Sequence, residues 1–208
     1  SGSHPRDPAV ARMLGMGSAN SAGVTVNHQK VVAMPAIKRA VQIITDKMFG
    51  LPWYVFRETE DGREWERSHP AWRCVHWMAN KNISAPALRQ ILVQNAMTWG
   101  NGCAWIDRSS EVLELHPLNP EHTKPVILDG RVASLLQEPE LEGQLRIQTK
   151  IGNETKLLEP MDVFHIKGFG TNPYWGLDIV ELMAETFGGV LAKEEFGNRF
   201  FSGGSNPT

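Results

Sequence analysis

The residues of this sequence with the greatest potential for chemistry are its cysteines and histidines. Cys74 and His76 are two positions apart with His69 close by, and both residue types are ligands that zinc uses in proteins. A structural zinc site also needs a second ligand pair at matched spacing, which Cys103 alone does not supply. Because cysteine is among the residue types most often buried, the sequence favours packing roles here and predicts neither a metal site nor a cofactor.

A second possible chemistry is hydrolysis at two histidines that lie in predicted strands. His116 and His165 could act as general bases if Asp107 or Asp162 oriented them within hydrogen-bond reach. The nucleophile motif Gly-x-Ser-x-Gly is missing from the sequence, and so is the phosphate-binding loop Gly-x4-Gly-Lys-Ser/Thr. The sequence therefore favours hydrogen-bonded structural histidines and predicts no catalytic residue, with a small hydrolase kept as an alternative.

Composition and charge narrow the class of protein further. The chain has 208 residues, of which 41% are apolar and 21% charged, an ordinary globular composition. Its formal net charge of −2 argues against a protein that coats nucleic acid electrostatically. Two cysteines do not provide a disulfide framework, and no apolar run is long enough to cross a bilayer. The sequence thus predicts a folded protein without a membrane partner.

Apolar spacing and end signals predict the helices that must position these residues. Residues 1–29 lack a sustained apolar period and are predicted to form a flexible N-terminal arm. The first helix is predicted from Pro35 to Phe49, with Ile37, Ala40, Val41, Ile44 and Met48 on its buried face. Further helices are predicted at 70–78, 84–99 and 176–201.

Short strands are predicted between these helices. Asp61–Gly62 reads as a turn between strands at 53–56 and 63–66. The strongest hairpin signal is Asp129–Gly130, between Val126–Leu128 and Val132. The other predicted strands lie at 104–106, 112–115, 145–151 and 163–166. Helices that flank a small antiparallel sheet make the predicted fold class α+β.

The last predicted helix carries the features that bear most on assembly. Its apolar stripe consists of Leu177, Val180, Met183, Ala184, Phe187, Val190 and Leu191. Each glycine of the pair Gly188–Gly189 costs about 1 kcal/mol relative to alanine, so the pair predicts a kink or a close contact with another backbone. The charged residues of this helix form either a solvated face or, in a ring, a contact with a neighbouring subunit or with a lumen. They are Lys193, Glu194, Glu195 and Arg199.

The order of these segments resembles the phage portal proteins of the HK97 type. The similarity runs from about residue 24 to residue 208, and it depends on several short segments in co-linear order rather than on one motif. These segments are Ala40–Asp46, Gly50–Phe56, His69–Pro70, Trp99–Ala104, Leu115–Pro120, Asp162–Gly168, Tyr174–Asp178 and Phe196–Pro207. The pair Gly188–Gly189 departs from the usual pattern.

The resemblance implies a structural subunit of a ring, usually dodecameric, at one capsid vertex of a phage or prophage-derived particle. Double-stranded DNA would pass through its channel during packaging and ejection, independently of sequence. The ring would contact the major capsid protein, the terminase large subunit and head-tail connector proteins. The implied location is the virion, with the host cytoplasm during assembly. A near-neutral chain agrees with this role, because tight phosphate contacts would oppose translocation.

The resemblance also implies a domain organisation. Residues 30–175 would form an α+β wing-like domain, and residues 176–208 a long helix and Gly-rich loop that lead toward the stem. Family members continue further, so we expect this chain to be the N-terminal portion of a longer polypeptide. A monomeric binding module that uses exposed aromatic side chains is the alternative function, and a hydrolase built on His116 and His165 is less favoured.

Overall fold

Short helices and short antiparallel strands make up the fold, and the α+β prediction is confirmed. The computed structural model describes residues 18–19, 25–109, 112–128 and 143–202. The helices in this part of the chain are α1 (His28–Ala33), α2 (Pro35–Gly50), α3 (Ala71–His76), α4 (Ala85–Thr98), α5 (Ile179–Leu182) and α6 (Ala184–Ser202). The strands are β1 (Ser18–Ala19), β2 (Thr25–Val26), β3 (Phe56–Thr59), β4 (Gly62–Trp65), β5 (Asn101–Asp107), β6 (Glu114–Pro117), β7 (Lys124–Ile127), β8 (Leu145–Ile151), β9 (Glu154–Leu158) and β10 (Val163–Lys167).

Contacts divide the chain into two compact units. The first unit combines the residues up to Ala40 with those from Asp178 onward. The second unit extends from Val41 to Leu177. The first unit is therefore built from two segments that are far apart in sequence.

The first unit packs β2 and α1 against α6. Asn27 caps α1, since its Oδ1 accepts a hydrogen bond of 2.9 Å from the N–H of Lys30. His28 approaches Asp178 with an Nε2–Oδ2 distance of 2.9 Å, which joins the two segments. Val26, which the sequence assigns to the arm, is thus part of a core, and His28 has an ion-pair partner. The core of this unit consists of Val26, Val31, Met34, Val180, Ala184 and Phe187.

Helix α2 has the predicted extent, but its buried face agrees only in part with the predicted one, because Val41 is buried whereas Ala40 is exposed. Val41 and Thr45 are its buried residues, whereas Ile44 is 45% exposed. The prediction of Ile44 as a core residue is therefore wrong. The Thr45 hydroxyl donates to the Gln42 carbonyl, and this bond within the helix allows a polar residue to occupy the buried position.

Helix α4 begins and ends where the sequence predicts. The Ser84 hydroxyl accepts a hydrogen bond of 3.3 Å from the N–H of Ala87 and so caps the helix. Gly100 follows the helix with a φ of 77°, a left-handed conformation that ends many helices. Leu88 and Leu92 are fully buried and bring α4 onto the central sheet of the second unit.

The central sheet of the second unit has the strand order β10–β5–β6, and all its pairs are antiparallel. Successive residues of β5 point to opposite faces, so Cys103 and Ala104 belong to separate cores. One core consists of Cys74, Ala79, Leu88, Leu92, Ala104 and Leu115. The other consists of Cys103, Leu118, Ile147 and Val163.

The remaining strands form a two-stranded hairpin, β3–β4, and a three-stranded sheet in the order β7–β8–β9. The predicted turn at Asp129–Gly130 lies outside the described residues, and β7 pairs with β8. Strand β9 was not predicted because its sequence, Glu-Thr-Lys-Leu-Leu, has no clear alternation. Its pairing with β8 across the turn Gly152–Asn153 imposes the strand.

The last helix differs from the single helix predicted from Gly176 to Phe201. Asp178 caps α5, its Oδ1 accepting from the N–H of Glu181 at 3.0 Å, and the helix stops at Leu182 before α6 begins. Leu177 precedes the cap and Met183 separates the helices, so both are exposed rather than part of a buried stripe. Val190 of the predicted stripe is exposed as well. Within the described ranges no helix is long and apolar enough to span a bilayer.

Candidate functional site

The two histidines that were candidates for a hydrolase site, His116 and His165, each interact with a different side chain. His116 lies on β6, with its Nε2 3.1 Å from Oε2 of Glu114. His165 lies on β10, with its Nε2 3.0 Å from Oδ1 of Asn101. Strand β5 runs between β6 and β10, and His116 pairs with Trp105 whereas His165 pairs with Cys103. Two strand spacings and an offset of two residues along β5 put the two histidine backbones about 12 Å apart.

The aspartates that would orient these histidines are also engaged elsewhere. Asp107 accepts a hydrogen bond of 2.9 Å from the N–H of Ser109, and the hydrogen bonds from Ser109 lower the pKa of the Asp107 carboxyl. Asp162 forms an ion pair with Arg108. No aspartate–histidine dyad forms at these positions, so the geometry does not favour the hydrolase alternative.

Both cysteines are buried in the protein interior. The Cys74 Sγ donates to the Leu113 carbonyl at 2.7 Å, and burial raises the pKa of this thiol. Burial raises the pKa of Cys103 to about 12, so this thiol stays protonated at neutral pH. Among the described residues, no group of three or more Cys, His, Asp or Glu side chains is arranged to hold a metal ion.

Asn101, which the sequence predicts only as part of a helix C-terminus, is a buried hydrogen-bonding centre. Its Oδ1 accepts from the N–H of Gly176 at 2.8 Å, and its Nδ2 donates to the Gly176 carbonyl at 2.9 Å. These two bonds fix the amide orientation, so the Nε2–H of His165 donates to the same Oδ1. Asn101 thereby holds β10 and the segment before α5 against the start of β5.

Four glycines allow backbone segments to meet around Asn101, and we call this contact the glycine junction. A Cβ on Gly176 would lie 2.0 Å from the carbonyl oxygen of Gly100. A Cβ on Gly102 would lie 2.0 Å from that of Leu92, and one on Gly168 would lie 2.1 Å from that of Ala96. The junction thus consists of main chain packed on main chain, which only glycine permits.

His165 makes the stability of this junction depend on pH. Burial, and secondarily the charge of Lys167, lower the pKa of the His165 imidazole in the folded chain. The unfolded chain takes up a proton near pH 6.5, the ordinary pKa of histidine, at which the folded chain still resists protonation. The contribution of neutral His165 to the free energy of unfolding is therefore fully present above about pH 6.5, and it is lost as the pH falls toward the pKa of the folded state.

We expect His165→Gln to weaken this loss of stability at acidic pH, because glutamine keeps a hydrogen-bond donor but does not titrate. Urea unfolding of both proteins above and below pH 6.5 measures the effect, since the slope difference reports at most one proton taken up on unfolding. His122 is exposed on the short 3-10 helix Pro120–His122, so His122→Gln is the matched control. Identical pH profiles for native protein and His165→Gln would contradict the assignment.

The predicted contact residues of α6 lie beyond its packed part. Lys193, Glu194, Glu195 and Arg199 are all exposed. Glu195 and Arg199 approach each other one turn apart, with 4.0 Å between Oε2 and Nη2. The packed part of α6 is its first half, where Ala184, Phe187 and Gly188 are buried.

Apolar side chains accompany these charges on the exposed part of α6. Phe196 is 73% exposed and Phe201 is 82% exposed, and Phe200 is exposed as well. A Cβ on Gly189 or on Gly197 would meet nothing within 4 Å among the described residues, in contrast to the glycines of the junction. A helix with apolar groups beyond its core-facing side is typical of one that is covered by another element.

Aromatic side chains form a second exposed surface, in the second unit. Tyr54 stacks on Trp65 with ring centroids 4.9 Å apart, and the Arg67 guanidinium lies 5.2 Å from the centre of the Trp65 ring. An apolar cavity of about 800 Å³ adjoins Tyr54. Its lining includes Trp53, Phe56, Val75, Ile106, Leu113 and Phe164.

Comparison with known proteins identifies relatives of this chain. The family model described as "Phage portal protein" matches residues 35–208. The chain is 22% identical over 185 residues to the portal protein of Enterobacteria phage HK97, a match that covers 87% of this chain and 41% of that protein. The chain thus spans less than half the length of this relative.

Solved structures share the fold at low identity. A chain in the neck of a native gene transfer agent particle, computed with C12 symmetry, has a TM-score of 0.60 and 16% identity. That match covers 86% of this chain and 45% of the other. An HK97-family phage portal protein from Corynebacterium diphtheriae has a TM-score of 0.55 and 14% identity, covering 88% and 52% of the two chains.

Proposed function

Because this chain belongs to the phage portal protein family, we propose that it is a structural subunit of a portal ring at one vertex of a phage or prophage-derived head. The observation that carries the proposal is the family match over residues 35–208, which includes residues of both compact units. The C12 symmetry used for the neck of the related gene transfer agent particle supports a ring of twelve subunits.

The proposed role is structural rather than catalytic. His116 and His165 have different partners, and each lies on an edge strand of the central sheet. His116 and His165 thus have structural partners. The glycine junction and the hydrogen bonds of Asn101 join separate segments of the second unit, which is a structural role.

The proposed partners are those that a portal ring would meet during assembly. They are the major capsid protein, the terminase large subunit, head-tail connector proteins and double-stranded DNA that passes through the channel. The chain's net charge of −2 supports passage without tight binding, because strong phosphate contacts would slow translocation. The proposed location is the portal vertex of the virion, and the host cytoplasm before assembly is complete.

Within the subunit, we propose that residues 30–175 correspond to a wing-like domain and that residues 176–208 lead toward the stem. The second half of α6 supports the role toward the stem, because most of its side chains are exposed. Residues 30–40 share a compact unit with α6 and not with the rest of the proposed wing. Lys193, Glu194, Glu195 and Arg199 would then face a neighbouring subunit or the lumen.

Sedimentation velocity of the full-length protein, followed by electron microscopy of the heaviest species, tests the proposed function. We expect rings with a central hole. A protein that stays monomeric at high concentration, in the presence and absence of capsid protein, would overturn the proposal and favour a monomeric binding module that uses the aromatic surface around Tyr54.

A further inference from the structure

We propose that an exposed stripe on α6 of one copy packs against an exposed stripe on α2 of the next copy, an inference that rests on the proposed ring. The α6 stripe consists of Val190, Glu194, Gly197 and Phe201. The α2 stripe consists of Ala36, Ala40, Ile43 and Lys47.

The spacing of the two stripes is the same. Each advances by four, three and four residues, the pattern that places side chains on one side of a helix. This pattern is also the one by which two helices pack along a common seam. Both helices thus present a straight, continuous row to a partner helix.

Both stripes carry apolar side chains that are exposed in the described part of the chain. Ile43 is 48% exposed and Phe201 is 82% exposed, and Ala36, Ala40 and Val190 are exposed too. Gly197 has open space where a Cβ would be, although glycine costs a helix interior about 1 kcal/mol relative to alanine. Close approach of another helix at Gly197 would account for glycine at this position.

Charge complementarity supports the α2 stripe as the partner of the α6 stripe. The α6 stripe contains one acidic residue, Glu194, and the α2 stripe contains one basic residue, Lys47. An antiparallel alignment of the stripes sets these opposite charges within one helical turn of each other. It also sets the large Phe201 near the small Ala36, and Gly197 beside Ala40.

Ring symmetry makes the second copy the fitting occupant. A closed cyclic ring is built from a heterologous contact, in which each subunit joins two different surfaces to its two neighbours. Matched but different stripes on one chain satisfy this requirement, and the same contact then recurs at every subunit boundary. The related neck computed with C12 symmetry has such a cyclic arrangement.

Charge reversal with rescue tests the contact. We expect Lys47→Glu alone and Glu194→Lys alone each to remove most of the ring species in sedimentation velocity. The double variant, which restores opposite charges in exchanged positions, should recover rings. Arg63→Glu, on the exposed hairpin β3–β4, is the matched control and should leave rings unchanged. Thermal unfolding of each variant checks that the fold is retained.

Cross-linking provides a second, direct readout. Ala40→Cys and Gly197→Cys proteins are mixed, assembled and oxidised. We expect disulfide-linked dimers in the mixture and none from either variant alone, because the contact joins different surfaces. The native thiols do not compete, since both are buried and their pKa values are raised.

The two possible failures are distinguishable. Rings that form equally well with either charge reversal, and give no cross-link, would overturn this contact while leaving the proposed function intact. That result would assign the α6 stripe to another protein of the particle. Absence of rings from the unaltered protein would overturn the proposed function and this contact with it.

Discussion

Gly176→Ala is expected to destabilise the second unit by more than about 3 kcal/mol, a loss large enough to leave much of the protein unfolded or insoluble. The added Cβ would lie 2.0 Å from the Gly100 carbonyl oxygen and 3.1 Å from the Gly168 nitrogen. Both neighbours are main-chain atoms, so neither can move aside by changing a rotamer. Any shift would also break the pair of hydrogen bonds between Asn101 and Gly176.

Gly189→Ala is the matched control for this prediction. Gly189 lies in the interior of α6, and a Cβ there would meet nothing within 4 Å among the described residues. Alanine should therefore leave stability equal or raise it by up to about 1 kcal/mol, the difference in helix propensity. Urea unfolding followed by circular dichroism compares the two variants with the native protein. Tolerance of alanine at position 176 would show that the junction is looser than described.

Arg89→Met is expected to cost about 2 to 4 kcal/mol, because it removes a buried cation that caps two helices. Arg89 is only 4% exposed. Its guanidinium donates to the Val75 carbonyl in the last turn of α3 at 2.8 Å, and to the Phe49 carbonyl near the end of α2 at 3.2 Å. Helix C-termini carry partial negative charge and unpaired carbonyls, so both ends favour a cation.

Burying the Arg89 charge also costs desolvation free energy. Whether methionine stabilises or destabilises the protein depends on how this cost compares with the lost hydrogen bonds. Burial lowers the pKa of Arg89, and its Nε has no hydrogen-bond partner in the described structure. Replacing both members of a buried ion pair by apolar residues is often neutral. Here the partners are main-chain carbonyls that no substitution removes, so methionine would leave two partly buried acceptors without this donor. The loss of hydrogen bonds should therefore outweigh the relief of desolvation.

Arg89→Lys separates charge from geometry in the same experiment. Lysine keeps the charge, but its single ammonium lacks the planar fork that spans two carbonyls, so an intermediate loss is expected. Arg63→Met on the exposed hairpin should change stability by less than about 0.5 kcal/mol. A loss below about 1 kcal/mol for Arg89→Met would show that the two carbonyls find other donors.

The sequence predicted those elements whose signals are local. Ser84 before an apolar helical period predicted the start of α4, and the Gly100–Gly102 segment predicted its end. The strands around His116 and His165 followed from short runs of β-forming residues. These features depend on neighbours a few residues apart, which is the range that periodicity and capping describe.

Features that depend on distant contacts escaped prediction. Thr45 is buried where periodicity favoured Ile44, because the face of α2 that packs is chosen by what lies against it. The sequence places Gly168 in a loop and Gly176 at the start of the last predicted helix, and nothing local indicates that each meets a carbonyl or amide of a distant segment. The role of Arg89 was invisible for the same reason, since its two acceptors lie 14 and 40 residues away in the chain.

The division into two units has a spectroscopic consequence. All seven tryptophans and both tyrosines lie between Val41 and Leu177, the bounds of the second unit. Intrinsic fluorescence therefore reports on the second unit alone, and the first unit, whose aromatic residues are phenylalanines, is silent at tryptophan excitation. Far-ultraviolet circular dichroism detects the helices of both units. Comparing the two signals during one denaturant titration would thus resolve the unfolding of each unit without any added label.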